Sequence, residues 1–385
     1  MALILAIESS CDDTSVALMQ DRRLLAMKTG GQAEHARYGG VVPEIASRAH
    51  QEWLASLCKG LMDEHGLAWD ALDAIAYTRG PGLLGSLMVG ASLAKGLALA
   101  LNKPLIGVNH LHAHLVSPAV ERPQMADFPM LTLTVSGGHT HLVWMNSWLD
   151  WELLAETLDD AAGEAFDKCA KMLGLGYPGG PVLDAKAQGG NPQAYSWPKP
   201  KLGVESYSFG GIKTSVLYFL QKHKPDLRDV PDSALPDLCA SLQHALVDML
   251  VQPMKVQAQA RRPRSLALAG GVACNSRLRS EGLALGEALG IPVYIPAPTY
   301  CTDNAAMVAF AYLIKVQASE TRWWKLAPLG LLGIVLCFEP LVFRQSPSSA
   351  AGGEGADVRG PIRESAGSAG DPLQLLAQLE EALAS

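Results

Sequence analysis

Two histidines four residues apart, His110 and His114, stand in the segment Asn109-His-Leu-His-Ala-His114, directly after the apolar run Pro104–Val108. The run reads as a strand. Asn109 is a good helix-capping residue, so a helix starting there places both imidazoles on one face. That spacing lets two ring nitrogens reach one metal ion. Leu111 stands where a zinc protease would carry its general-base glutamate. The chemistry suggested is therefore a metal that holds or polarises a substrate, not one that activates water for peptide cleavage. An isolated pair of this kind is more often two ordinary helix histidines, so it gains weight only if other segments converge on it.

Asp303 is a candidate third member. It lies in Pro298-Thr-Tyr-Cys-Thr-Asp303-Asn-Ala-Ala-Met307, between a strand at Val293–Pro296 and a following helix, where it serves either as N-cap or as ligand. With His110 and His114 it makes a set of two imidazoles and one carboxylate, which suits Fe(II) or Zn and leaves coordination positions open. Three strand-end turns, Ser9–Thr14, Ser136–Thr140 and Gly270–Asn275, suggest a nucleotide or acyl-nucleotide site in an interlobe cleft. The last enters a helix at Ser276, so its backbone N–H groups can meet an anion. The acidic run Asp159–Lys168 complements a helix dipole. Tyr177–Asp184 is a constrained loop, beside which an Asp or a backbone group could bind a ribose hydroxyl. Lys168, Lys171, Lys186, Lys199, Lys201, Lys213, Arg261, Arg262 and Arg264 are candidates for a phosphate-contacting face, or for a plain solvated surface.

The elements that must position these residues follow from periodicity. Leu3–Ile7 and Ser15–Met19 read as strands joined by the first turn, with a third near Leu24–Lys28 and a helix over Pro43–Glu64. Ala74–Tyr77 is a strand, and a helix over about Ser86–Leu101 follows, in which Gly90 and Gly96 imply close backbone packing. Met130–Val135 and His141–Met145 repeat the strand–turn–strand theme. Ser265–Ala269 is a further strand. The stretch from about 150 to 260 reads as mostly helical, with helices at Ala161–Leu173, Gly211–Gln221 and Ser233–Ala260. Two related α/β lobes facing a cleft are expected: 1–125, and 126–318 with a helical insertion at about 150–260. Residues 319–385 read as a divergent, flexible tail with a short helix at Pro372–Leu383.

Bulk properties narrow the function classes. The 385-residue chain is 49% hydrophobic, with 31 Lys and Arg against 38 Asp and Glu, a net charge of −7. That argues against gripping nucleic acid over the whole surface, though not against a basic patch or a partner that shares the load. Seven dispersed cysteines without a Cys-x-x-Cys pair fit a reducing cytoplasm. No signal peptide is expected, since Glu8 interrupts the first apolar run. The run Leu326–Phe338 is 13 residues, short of the roughly 20 a spanning helix needs, so no membrane association is expected.

With these segments in order, the chain resembles the universal tRNA N6-adenosine threonylcarbamoyltransferase family, once described as O-sialoglycoprotein endopeptidases. The resemblance rests on Ile7-Glu-Ser-Ser-Cys-Asp-Asp-Thr14, His35-x-x-Tyr-Gly-Gly-Val-Val-Pro-Glu44-x-Ala-Ser-Arg48, Gly80-Pro-Gly-Leu-Leu-Gly-Ser86 and Asn109-His-Leu-His-Ala-His114. It continues through Val135-Ser-Gly-Gly-His-Thr140, the Asp159–Lys168 run, Tyr177-Pro-Gly-Gly-Pro181, Ser208-Phe-Gly-Gly-Ile-Lys-Thr214, Gly270-Gly-Val-Ala-x-Asn275 and Cys301-Thr-Asp-Asn304. These span about residues 3 to 318.

The resemblance implies an α/β ASKHA (actin-like ATPase, RNase H-like) fold. It implies transfer of threonylcarbamoyl from threonylcarbamoyl-AMP to N6 of adenosine 37 in tRNAs reading codons that begin with A, with release of AMP. By the same match, His110, His114 and Asp303 hold one divalent metal, Fe(2+) with Zn as the alternative. Thr134, Val135, Ser136, Gly137, Gly138, Asp167, Gly180, Asp184 and Asn275 hold the adenylate. Asp13 is the candidate for helping the N6 proton leave. A bacterial-type member implies two helpers, a smaller paralogous partner subunit and a P-loop ATPase. Two departures stand out: Asp13 occupies a position where the family commonly has Glu, and the tail from about Ser319 lacks the family's short ending. The competing readings are an ASKHA ATPase or small-molecule kinase, and a non-catalytic scaffold paralogue. A metalloprotease lacks its base.

Overall fold

Every residue of Leu3–Glu8 (β1) is buried, which marks a strand whose sheet is covered on both faces. In the computed structural model, which describes residues 2–125, 127–200, 203–223 and 234–318, β1 pairs antiparallel with Thr14–Gln20 (β2), and β2 with Arg23–Gly30 (β3). Ala74–Gly80 (β4) and Leu105–Asn109 (β5) add in parallel on the other side, giving the order β3-β2-β1-β4-β5. Between them run Pro43–Glu64 (α1) and Leu84–Leu101 (α2), and β5 leads directly into His110–Val116 (α3).

The second half repeats the pattern. Met130–Val135 (β6), Thr140–Met145 (β7) and Trp151–Thr157 (β8) form an antiparallel trio. The helices Ala162–Met172 (α4) and Gly179–Ala187 (α5) follow, then the two-residue strand Ser206–Tyr207 (β9), Gly210–His223 (α6) and Leu235–Arg261 (α7). Ser265–Ala269 (β10), Ser276–Leu289 (α8), Val293–Tyr294 (β11), Pro298–Cys301 (α9) and Ala305–Ala318 (α10) complete the described chain. Strands β10 and β11 join β6 in parallel, and β9 extends the opposite edge. Omitting β9, the order β8-β7-β6-β10-β11 reproduces that of the first sheet, strand for strand.

Alternation along β1 divides the core. Leu3, Leu5 and Ile7 pack with Leu54, Leu61, Met62, Ala94 and Ala98 of α1 and α2. Ile4 and Ala6 point the other way, into a cluster with Ala113 and Val116 of α3 and Met307, Phe310 and Ile314 of α10. That cluster also includes Met130, Val143, Met145 and Ala267 of the second sheet, so α3 and α10 lie between the sheets. Ala305–Ile314 is buried all round, as expected of a helix that is apolar on every face. Each large side chain it buries is worth about 2 kcal/mol. The outer face of the second sheet packs against α4, α7 and α8.

The expected helices at Pro43–Glu64, Ala161–Leu173, Gly211–Gln221 and Ser233–Ala260 are present within two residues at either end. Two segments differ. Trp151–Thr157, read as part of a helical stretch, is strand β8, and its pattern of three half-buried residues followed by two buried ones explains why no period of two is visible. The constrained loop at Tyr177–Asp184 turns into a helix at Gly179. Gly90 does meet another segment closely, since a Cβ there would stand 2.1 Å from Ser9 Oγ, whereas Gly96 has nothing within 4 Å.

Among the described residues one helix, Leu84–Leu101, is long and apolar enough to cross a membrane. It packs against α1 and the first sheet through buried Ser86, Gly90, Ala94 and Ala98. The tail at 319–385, with the apolar run and terminal helix expected there, lies outside the described residues.

Candidate metal centre and nucleotide cleft

Parallel strands of the two sheets deliver the candidate residues at their carboxyl ends, the usual place for ligands in such sheets. Strand β1 ends in the Ser9–Asp13 turn, β6 in the Ser136–His139 turn, β10 in the Gly270–Asn275 turn, and β5 in the histidine helix. Asn109 caps α3 as the sequence suggests, its side-chain oxygen accepting from His112 N at 3.0 Å. The matching end of the second sheet, past β11, carries Asp303.

His110, His114 and Asp303 are brought together, with one ligand atom from each lying within 4.8 Å of the others. His114 Nε2 is 3.0 Å and His110 Nε2 3.5 Å from Asp303 Oδ1. The rings of His110 and His114 meet edge to face, with centroids 4.6 Å apart. Asp303 is not the helix cap: Asn304 fills that role for α10, accepting from Met307 N at 3.0 Å. That leaves the Asp303 carboxylate free to face the histidines. His112, between them in sequence, points away and bonds Trp148 O at 2.7 Å.

Behind His110 stands Glu8, wholly buried. Its Oε2 is 3.3 Å from His110 Nδ1 and accepts from Thr78 Oγ1 at 2.5 Å, while Oε1 accepts from Ser10 N at 2.6 Å. Burial disfavours the charged form of His110, but Asp303 and Glu8 outweigh it and lift the ring to about 9. Burial likewise pushes Asp303 up, and His110 and His114 overcome this to hold its carboxyl well below the usual range. A buried anionic pocket that keeps a proton on an imidazole offers that proton's place to a cation. Two imidazole nitrogens and one carboxylate oxygen suit a first-row divalent metal with open positions.

The turns are built to tight tolerances. Gly270 has φ +84°, and a Cβ there would stand 2.3 Å from Val135 O; one at Gly163 would stand 2.5 Å from Ser136 O. Ser136 Oγ accepts from His139 N, and Thr140 Oγ1 accepts from Ala162 N, fixing the start of α4 against the turn. A Cβ added at Gly137 or Gly138 would meet no heavy atom within 4 Å, so this stretch is open to a ligand. Val135 is wholly buried, and Thr134 Oγ1 is buried without a hydrogen-bond partner. Asp13 is half-buried at the end of the first turn. Burial, with repulsion from Asp303, Asp12 and Glu8, pushes it up to about 7.

Other candidates have structural work as well. Asp167 Oδ1 accepts from Gly179 N and Gly180 N at 2.8 and 2.9 Å, closing the N-terminus of α5. Asp184 accepts from Ser276 N, Ser276 Oγ and Gln243 Nε2 at the start of α8. Asn275 caps that helix through Leu278 N. Several of the cations read as a possible phosphate face are engaged by carboxylates. Lys168 pairs with Asp160 and Glu164, Lys213 with Asp160, Lys199 with Asp248, and Arg261 with Glu152.

Sequence reasoning assigns no role to Glu8, Ser10, Thr78 or His139. A lone glutamate ending an otherwise apolar strand is the available signal for Glu8. His139, whose ring lies 6.5 Å from that of His110, is held down to about 4, first by burial and then by the neighbouring histidines.

Comparison with known proteins agrees with this construction. A tRNA N6-adenosine threonylcarbamoyltransferase of Porphyromonas gingivalis is 47% identical over 313 residues, covering 80% of this chain and 92% of that protein. The Pelobacter propionicus protein of the same name is 46% identical over 340 residues, covering 85% and 98%. Among solved structures, full-length HypF superposes with a TM-score of 0.54 at 13% identity, covering 84% of this chain and 47% of HypF. HypF of T. kodakarensis gives 0.53 at 15% identity, covering 82% and 48%. Those likenesses establish the ASKHA-type fold alone, and the chain spans about half of each HypF. A profile match over residues 23–310 to tRNA N6-adenosine threonylcarbamoyltransferase runs from β3 into α10, including His110, His114 and Asp303, and the chain belongs to that family.

Proposed function

We propose that this protein transfers a threonylcarbamoyl group from threonylcarbamoyl-AMP to N6 of adenosine 37 in tRNAs reading codons that begin with A, releasing AMP. The observation that carries the reading is the meeting of His110, His114 and Asp303 beside the turn following β6, in a chain of this family. His110, His114 and Asp303 would hold a divalent metal, Fe(2+) in the first instance, whose positive charge would hold the threonylcarbamoyl group and stabilise its carbonyl oxygen as charge develops.

The remaining work falls to the chain. Glu8 keeps the His110 ring oriented through Nδ1. Thr134 to Gly138, with Gly180 and Asn275, line the adenylate. Asp167 and Asp184 set the helix ends that shape this wall, and Asp184 shares its oxygens between Ser276 and the ligand. Holding both reactants in one orientation removes most of the entropic barrier to attack by N6 on the carbonyl carbon. Asp13, drawn up to about 7 first by burial, is a carboxylate basic enough in its ionised form to accept the proton that N6 loses. No protein nucleophile is needed. The acidic net charge leaves much of the tRNA grip to a smaller paralogous subunit and a P-loop ATPase, working with this chain in the cytoplasm.

The test is nucleoside mass spectrometry of unmodified tRNA incubated with this protein, its two partners, threonine, bicarbonate, ATP and the adenylate-forming enzyme. Threonylcarbamoyladenosine should appear only with this chain present, and it should vanish on joint substitution His110→Ala and His114→Ala while the far-ultraviolet spectrum is kept. ATP hydrolysis without nucleoside modification, with a known family member working in parallel, would replace this reading with a plain ATPase.

A further inference from the structure

Two cysteines from separate turns meet beside the cleft. Cys274 closes the short turn Gly271–Cys274 that leads into Asn275, and Cys301 ends α9 two residues before Asp303. Both thiols lie against the same short segment, Cys274 Sγ 3.9 Å from Pro298 O and Cys301 Sγ 3.5 Å from Pro296 O. Cys301 is wholly buried and Cys274 only partly so. Arg279 clamps the two segments, donating from Nη1 to Ala273 O and from Nη2 to Pro296 O, each at 3.0 Å. The same guanidinium comes within 3.9 Å of Cys301 Sγ. Cys58, Cys169 and Cys239 are buried in the apolar cores, as Cys301 is, and of these five thiols Cys274 alone reaches solvent.

We propose that Cys274 and Cys301 form a peroxide-oxidisable thiol pair, Cys274 being the thiol that peroxide attacks and Cys301 the one that resolves it to a disulfide. The order follows from exposure, because solvent reaches Cys274 and not Cys301. The neighbouring Cys301 thiol and the Arg279 guanidinium outweigh burial and draw the Cys274 thiol down to about 7, so much of it is thiolate at neutral pH. In the first step the Cys274 sulfur takes one peroxide oxygen and the O–O bond breaks. Hydroxide leaves and combines with the thiol proton as water. In the second, the Cys301 sulfur attacks the Cys274 sulfenic sulfur, the S–O bond breaks, and the hydroxyl leaves as a second water with the Cys301 proton. Two electrons pass from the thiols to the peroxide. The new bond joins the turn bearing Asn275 to the turn bearing Asp303, segments that Arg279 already holds side by side.

The test uses the full chain, reduced, exposed to hydrogen peroxide at neutral pH, then denatured, alkylated with N-ethylmaleimide and digested for mass spectrometry. Cys274 and Cys301 should lose alkylation together and appear as one cross-linked peptide that dithiothreitol reverses, while Cys58, Cys169 and Cys239 remain alkylated. Cys274→Ser, at a partly exposed site, should abolish the cross-link and leave Cys301 alkylated. Cys301→Ser should leave a sulfenic acid on Cys274 that dimedone traps. The proposal is overturned if Cys274 and Cys301 both stay alkylated. It is equally overturned if Cys274 goes to sulfinic acid with Cys301 still free, or if Cys274 cross-links to another cysteine such as Cys337. None of these readouts depends on tRNA modification.

Discussion

Glu8 Oε2 lies 3.3 Å from His110 Nδ1, and both groups are buried. A carboxylate there asks the neutral ring to carry its proton on Nδ1, which leaves the Nε2 lone pair facing Asp303. Glu8→Gln keeps the shape and removes the charge. Its divalent-metal affinity should fall about 10- to 100-fold, read by competition against a chelator of known affinity, with a smaller change in the metal-free melting temperature. Equal metal affinity in parent and variant would remove Glu8 from the centre. Ser10 Oγ, 3.2 Å from the same nitrogen, is the reason some affinity should survive.

The Gly270 backbone makes a separate demand. Its φ of +84° with ψ of 164° is essentially a glycine conformation, and a Cβ would press on Val135 O at 2.3 Å. Gly270→Ala should therefore cost about 3 kcal/mol or more, combining backbone strain with a clash against main chain that cannot rotate away. Gly271→Ala is the control, since its nearest neighbour would be Thr302 Cγ2 at 3.9 Å. Urea midpoints with unchanged slopes would compare the two. Similar midpoints would mean that the turn relaxes in solution.

Much of this architecture is legible without coordinates, for identifiable reasons. The His110–His114 spacing, the Asn109 cap and the strand–turn–strand units around Ser9 and Ser136 are local patterns, and local patterns survive in sequence. Helices such as α1 and α7 announce themselves through long stretches of one period. Glu8 is opaque because its role depends on His110 and Thr78, which are 102 and 70 residues away. Strand β8 is hidden because its burial does not alternate. Asp303 reads on paper as either cap or ligand, and only the fold gives the cap to Asn304 and turns Asp303 toward the histidines. Lys168, Lys199, Lys213 and Arg261, read as part of a phosphate face, illustrate the same limit: sequence shows the charge but not the carboxylate beside it.

Asp184 separates two roles that sequence alone merges. It holds Ser276 N at 3.0 Å and Ser276 Oγ at 2.6 Å, and it also accepts from Gln243. Asp184→Ala should lower stability by about 1–2 kcal/mol even without nucleotide, because it strips an anion from the start of α8. Thermal melts of nucleotide-free protein measure this. If the variant melts like the parent and loses only adenylate affinity, Asp184 is a ligand residue and its helix contacts are incidental.

Asp13 gives a pH signature whose sign is unusual for a carboxylate. An unfolded Asp titrates near 3.9, whereas burial and three neighbouring carboxylates push folded Asp13 up to about 7. Between those values the folded chain binds more protons at this site than the unfolded chain, so its contribution to stability falls as pH rises from about 4 to 7 and then levels off. Asp13→Asn should thus be neutral near pH 4 and stabilising above pH 7. A carboxyl displaced that far is worth at most about 4 kcal/mol, and partial solvation of the side chain reduces the expected gain to roughly 1–3 kcal/mol. Loading the centre with a divalent metal offsets the Asp303 charge, so the gain should shrink when metal is present. Paired denaturation curves of parent and variant, metal-free and metal-loaded, cancel the titration of His110 and the other groups they share. A gain that is the same at pH 4 and pH 8 would show that Asp13 is not held near neutrality by its neighbours, and with it would go the argument for Asp13 as the group that takes the N6 proton.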